Sequence, residues 1–474
     1  MKTQPSTSSR RRVLKQLALA GTGLAIAPTA LVSLRPRTDS LKIAINNGKV
    51  FSQGSIRPLH LGITQDNRLR LSTELLNAPT VIDASGKIVS PGFVDILADN
   101  ASNPKNTYRI FEKYKISDGC TTVLQMHGGD EYPAAFHQYF DRQPHYVNYG
   151  IGVFVMRLKY IYSNPKDVYR YVEKGLEEGA LGVCHSIEYQ PTPFEELLEY
   201  AKLVQKYDRP LFLHLRHSSK EKELEGVSEA IALAQQTGAR VHIDHLHSTG
   251  GTYNMPAALE MIDNANNMGM EITTCVYPYS YWATYIASKR FDAGWQQRFG
   301  LTYEDLTVVG TGAKITAQNF DFYRKQMGVL VAVPEGTVPF DKTVNLALQT
   351  DFCMIGSDGG IESEPRANNH PRGAGCFATA LRHAQNIGMS LDKMLTKMTS
   401  LPAKLMRPSL NERAVIKDKA IADITIFDPK TIQGKATVTN PNQFSEGIEC
   451  VIVNGHIAYR DKKILLSKGV PIRY

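Results

Sequence analysis

Seven apolar, β-branched runs begin at residues 92, 121, 151, 181, 210, 240 and 270, each 29 or 30 residues after the last. They read GFVDIL, TTVLQM, IGVFVM, LGVCHS, PLFLHL, RVHIDHL and MEITTCVY, and an eighth, FCMIGSD, begins at 352. Between them lie stretches of helical period, among them FEELLEYAKLVQKYD (194–208), VSEAIALAQQTG (227–238) and ALEMIDNANNMG (258–269). Several end on Gly or Asp just before the next run, where a helix stops. Continuous apolar runs are what strands covered on both faces require, and a helix between each pair makes them parallel. Eight such units predict an α/β chain folded as a (β/α)8 TIM barrel over residues 91–413. The structural alternative is a doubly wound open sheet. It normally carries a Gly-rich phosphate turn after its first strand, and GFVDILADN is not one.

Both flanks of this region lack helical period. Residues 41–90 read as short strands broken by turns, and Asn47-Gly48 predicts a hairpin turn. Residues 414–474 return to strand pattern in NERAVIKDKAIADITIFDP and ECVIVNGHIAYR. The two flanks are expected to pair in space as one small β-sandwich domain. Residues 279–350 form an insertion rich in aromatics after the seventh run, placed to cover the barrel mouth as a lid.

The chain has 474 residues and a formal net charge of +8. Five positive charges and no acid lie within residues 1–30, which leaves +3 for the rest. No basic stripe with interleaved aromatics is present, so a nucleic-acid partner is not indicated. Arg10-Arg11-Arg12 and Lys15 precede an uncharged apolar stretch from Leu17 to Ala30. That layout is a signal peptide, too short for a comfortable membrane span. Its arginine pair resembles the twin-arginine export signal. Residues 1–30 are therefore expected to engage the twin-arginine export machinery and to be removed, leaving no stable membrane span and a periplasmic or extracellular protein. The six cysteines are dispersed, without a CxxC pair, and most sit inside apolar runs. They are expected to be buried thiols rather than bridges.

Three polar residues stand at strand ends: His214 after the fifth strand, His245 after the sixth and Asp358 after the eighth. All three are expected on the C-terminal face, where barrel enzymes work. Imidazoles there suit zinc, and a strand-end carboxylate suits a proton shuttle. By strand alternation, His245 shares a face with Val241, Ile243 and His247, and Asp358 with Phe352, Met354 and Gly356. His185 and Glu188, near the end of the fourth strand, are further polar candidates.

From about residue 41 onward the chain resembles the amidohydrolase superfamily, in particular its N-acyl-D-amino-acid deacylase (D-aminoacylase) branch. The resemblance is carried by IDASGKIVSPGFVD (82–95), GCTTV (119–123), GALGV with Tyr189 and Pro191, FLHLR (212–216), IDHLH (243–247), YPY (277–279), SDG (357–359), HPRGAG (370–375), MTSLPAKLM (398–406), ADITIFDP (422–429) and VNG (453–455), in that order. It implies His214 and His245 as metal ligands and Asp358 as the base that orients water and then protonates the leaving amine. It also implies substrate contacts from Arg372, Tyr279 and Tyr189. The family's His-x-His after the first strand is absent: Leu97 and Asp99 stand in its place. Leu cannot bind a metal, so one divalent metal, zinc, is expected rather than two. The branch's metal-bridging Cys aligns with Gly128, and the adjacent His127 either replaces it as the third ligand or is a polar loop residue. His247 stands where the family has a Lys that meets the substrate carboxylate. The function implied is hydrolysis of a linear amide, such as an N-acyl-D-amino acid. The alternative is a non-catalytic barrel of this family that binds a small molecule.

Overall fold

The computed structural model describes residues 40–98, 104–326, 328–361 and 369–474. Residues 1–30, expected from sequence to be an export signal, and Asp99 lie outside the described residues. Eight strands form one parallel sheet in sequence order: β1 (Phe93–Asp95), β2 (Cys120–Asp130), β3 (Asn148–Phe154), β4 (Val183–Ser186), β5 (Pro210–His214), β6 (Arg240–Ile243), β7 (Ile272–Val276) and β8 (Cys353–Ile355). Each overlaps one of the eight apolar runs. A parallel bridge between Ala98 and Gly359 brings the first and last strands together and closes the barrel.

The pleat sorts side chains as alternation requires. Leu124, Met126, Cys184, Phe212, Cys275 and Met354 fill the interior. Val123, Val183, Leu211, Leu213, Val241 and Ile243 join the larger core formed with the helices. The helices follow their sequence signals. Phe194–Lys206 starts with Glu195 and Glu196, ends with Lys206, and buries Leu197, Tyr200, Ala201 and Val204 on one face. Glu223–Thr237 stops at Gly238, whose φ of 72° suits a residue without Cβ.

The flanking segments meet in a separate, mostly antiparallel nine-stranded sheet. Ile424–Phe427 pairs with Ile88–Pro91, Ile424 lying opposite Pro91. Ile43, Ile45, Leu61, Ile63, Val89, Ile424 and Ile452 make its core. One local expectation fails. Asn47-Gly48 is not a hairpin turn, because a single strand, Leu41–Ser52, runs through it. The register slips there by one residue, Ile45 facing Leu61 and Gly48 facing Leu59, so the pair forms a β-bulge. The chain reverses instead at Gln53-Gly54, with φ of 55° and 78°. Bulge and turn both need a left-handed residue, so Asn-Gly signals either.

The insertion carries a small antiparallel sheet made of Ala283–Tyr285, Thr307–Val308 and Leu330–Ala332. Trp282, Phe291, Trp295 and Phe320 pack beside it. All six cysteines are free and buried. Among the described residues, no helix is long and apolar enough to cross a membrane.

Candidate active site

A cavity of about 370 Å³ opens at the C-terminal ends of the barrel strands, and the insertion forms part of its wall through Trp282, Tyr285, Arg290 and Leu330. His127, His214, His245 and Asp358 lie together in its floor. His214 ends β5 and points inward with Phe212, as alternation dictates. His245 does not follow alternation. β6 stops at Ile243, and His245 sits in the turn beyond it with φ 24°. The turn swings its ring off the outer face of Val241 and Ile243 and into the mouth. Asp358 likewise stands past the end of β8 with φ 46°, so the face it would share with Phe352, Met354 and Gly356 does not apply.

The three imidazoles each offer one ring nitrogen to a common centre, and these atoms lie within 4.8 Å of one another. His214 Nδ1 is 3.1 Å from His245 Nε2. His127 Nε2 is 3.5 Å from Asp358 Oδ1, and His245 Nε2 is 3.9 Å from Oδ2. The opposite ring nitrogens all have outer partners. His127 Nδ1 meets Asp244 Oδ2 at 3.2 Å, and His214 Nε2 meets Glu188 Oε2 at 2.8 Å. His245 Nδ1 meets the Ser248 and Thr249 hydroxyls at 2.9 and 3.2 Å. An imidazole that gives its outer N–H to a carboxylate or hydroxyl keeps the inner lone pair for a cation. Burial holds His214 below its ordinary pKa, and burial with the neighbouring imidazoles holds His245 well below it. Both shifts favour the neutral ring that ligation requires. Burial would raise Glu188, but the Arg290 charge and the hydrogen bonds from His214 and Ser218 outweigh it and hold the carboxyl down at about 2. Burial raises Asp244 to about 6, against the pull of His127. This donor set fits a divalent metal, with three nitrogens of the kind zinc takes and a carboxylate alongside.

Leu97 fills the opposite corner. Its side chain is fully buried in the barrel-interior cluster, so no ligand projects from that position. Beneath it lies a buried network. Lys115 Nζ is 2.8 Å from Asp95 Oδ2 and 2.8 Å from Ser357 Oγ, and Ser357 Oγ donates to Asp95 Oδ2 at 2.6 Å. Ser357 N donates to Asp95 Oδ1, and Asp358 N donates to the Leu97 carbonyl at 2.7 Å. These bonds tie the first strand end to the last and hold Asp358 in its left-handed conformation. Arg372 Nη2 meets Asp358 Oδ2 at 2.7 Å, and Arg372 Nε donates to the Asp358 carbonyl.

Arg372 and Tyr189 line the cavity, and the Tyr189 ring centre is 4.9 Å from that of His214. His247 and Tyr279, expected at the substrate, are not among the cavity-lining residues. His247 is wholly buried with its ring edge on Tyr277, because the turn that brings His245 inward carries His247 away. The Tyr279 hydroxyl points to Thr379 Oγ1 at 3.4 Å. His185 is a packing residue, its Nε2 bonded to Thr192 Oγ1 at 2.8 Å. Glu188 takes its place behind His214. Arg290, Ser248 and Lys115 carried no signal that sequence reading used. Arg290 sits in the aperiodic insertion, and Lys115 reads as one more charge on a helix.

No family model matches the chain. It is 27% identical to N-acyl-D-glutamate deacylase of Alcaligenes xylosoxydans xylosoxydans, over 88% of this chain and 93% of that one. It is 25% identical to D-aminoacylase of the same organism, over 81% and 87%. The crystal structure of N-acyl-D-glutamate deacylase from Bordetella bronchiseptica, complexed with zinc and a phosphonate inhibitor, superposes with a TM-score of 0.78 at 24% identity, covering 92% of this chain and all of that one. Taken with the barrel, the β domain and the order of motifs, these likenesses show that the chain is similar to the N-acyl-D-amino-acid deacylase branch of the amidohydrolase superfamily.

Proposed function

We propose that this protein is an exported hydrolase of N-acyl-D-amino acids that works with one divalent metal. The reaction class is cleavage of a carbon–nitrogen bond in a linear amide. The observation that carries the reading is the convergence of His127 Nε2, His214 Nδ1 and His245 Nε2 beside the Asp358 carboxylate. The relatives are named as deacylases of N-acyl-D-glutamate and as D-aminoacylase, which supports the substrate class. Leu97 in place of a ligand supports a single metal.

His127, His214 and His245 would hold the metal, which when bound supplies a Lewis acid for the acyl carbonyl and a more acidic water. Asp358 accepts the proton of the attacking water and delivers it to the leaving nitrogen. Arg372 anchors Asp358 and faces the cavity, where its fork suits the carboxylate of an N-acyl amino acid.

Metal analysis and turnover on a panel of N-acyl-D-amino acids test the reading. About one zinc, manganese or iron per chain with release of free amino acid is expected. No bound metal after loading would sink the metal site, and metal without turnover would leave a binding barrel. Export is tested separately by fusing residues 1–37 to a folded reporter. Changing Arg10 and Arg11 to Lys should abolish transfer across the inner membrane, and unchanged transfer would remove the twin-arginine route.

A further inference from the structure

The insertion reaches the metal-binding imidazoles through one side chain. Arg290 sits in the short 3-10 turn Lys289–Phe291 and is 5% exposed. Its guanidinium lies over the Trp282 ring, 5.2 Å from the centre. Arg290 Nε and Nη2 donate to Glu188 Oε2 at 3.3 and 3.2 Å. The same oxygen takes His214 Nε2 at 2.8 Å, and Ser218 binds the other oxygen. Arg290 Nη2 also donates to the Ser248 carbonyl at 3.1 Å, and the Ser248 hydroxyl meets His245 Nδ1. One buried cation thus stands behind two of the three imidazoles.

We infer that Arg290 is a positioning residue that couples the cavity wall to the metal centre, through Glu188 to His214 and through Ser248 to His245. The inference rests on the metal-binding reading above. Its physical basis is tautomer and aim. A carboxylate fixed by Arg290 accepts the His214 Nε2 proton, which leaves Nδ1 as the lone pair facing the centre. Without Arg290, Glu188 is a buried carboxylate with one cationic partner fewer, and it would turn toward water and release the ring. The coupling is reciprocal. An occupied centre fixes both imidazoles and so holds Arg290 and the insertion in place.

The test uses the full chain and zinc alone, with no substrate. Zinc affinity is measured by chelator competition for the wild type, Arg290→Met, Glu188→Gln and the double variant, with cobalt absorption reporting ligand geometry. Outer-shell partners are typically worth about 10–100-fold in metal affinity. Each single variant should lose that much, and the double variant little more than the larger single loss, because both act on one chain of contacts. Zinc should protect the 279–350 segment from limited proteolysis in the wild type and much less so in Arg290→Met. If Arg290→Met does not fold, Arg290→Lys serves. It keeps the charge but cannot span Glu188 and the Ser248 carbonyl together, so its zinc affinity should fall about tenfold. Wild-type affinity in the folded Arg290 variant, fully additive losses, or equal protection in variant and wild type would overturn the coupling. A wild-type chain that binds no zinc would overturn the metal reading itself, a distinct result.

Discussion

The two sides of the barrel mouth are built from opposite materials. On the β5–β6 side the strand ends carry His214 and His245, each with one nitrogen satisfied from behind and one turned to the centre. On the β1–β8 side the equivalent space is filled by Leu97 over the Lys115–Asp95–Ser357 network, in which the polar groups face one another. One side is poised for a ligand and the other is closed on itself. The closed side is not inert, because it fixes the backbone from which Asp358 projects. A strand end in this barrel can thus serve chemistry either by offering a ligand or by clamping the residue next door.

That contrast can be broken most severely at Asp358, where the two sides meet. Asp358→Asn keeps the shape but removes the proton acceptor, and turnover should fall by about 10²–10⁴-fold with fold and metal content retained. Near-native turnover with native metal content would take the shuttle away from Asp358. On the closed side, Lys115→Met leaves Asp95 buried and unpaired. Denaturant unfolding should show a loss of about 3–5 kcal/mol, while zinc affinity changes far less. A change confined to zinc affinity would mean that the network belongs to the ligand side after all.

On the open side, His127→Gln should weaken zinc binding by at least about 100-fold, the upper end of what an outer-shell change costs, with little effect on unfolding. Unchanged affinity would make His127 a loop residue and leave two imidazoles at the centre. Converting the closed corner is a gentler probe. Leu97→His with Asp99→His should raise metal content toward two per chain if the corner lacks only its donors, and content fixed at one would show that the packing around Leu97 also excludes a second ion.

Acid gives a graded effect, small at each step of pH. Burial depresses both His185 and His242 to about 3. Each is neutral in the fold, while the unfolded chain takes up a proton near the ordinary value of about 6.5. Their stabilisation is therefore present above about 6.5 and is lost as pH falls toward 3, at up to about 1.4 kcal/mol per unit for each ring. His242→Phe should flatten that slope in pH-dependent unfolding, and an unchanged slope would place the protonation elsewhere.

Much of this was legible in the chain because spacing is local information. Strands covered on both faces must be apolar, so eight runs at a steady interval already described a barrel, and His214 could be aimed by its parity with Phe212. Legibility ended where the backbone left its regular path. The turn after Ile243 reversed the expected face of His245 and removed His247 from the cavity. Asn47-Gly48, with Asn47 left-handed, served a bulge where a hairpin was expected. Lys115 and Arg290 were hidden for another reason. Their meaning lies wholly in distant partners, Asp95 and Ser357 for one, Glu188 and Ser248 for the other, and no period or motif announces a buried cation.

His245 and Asp358 share one property that bears on how the protein is handled. Both hold positive φ without being glycine or asparagine. Such conformations cost about 1–3 kcal/mol each where the surroundings impose them. Glycine would relieve the backbone but delete the group that the position exists to present. The mouth accordingly holds two strained turns: that of Asp358 is fixed by the bonds tying the first strand end to the last, and that of His245 stands where a bound cation would support it. A cation at 1,000 times its dissociation constant adds about 4 kcal/mol to the folded state, comparable to that strain. Chelation during purification should therefore soften the His245 turn first, while the Asp358 turn, the helices and the β domain keep their shape.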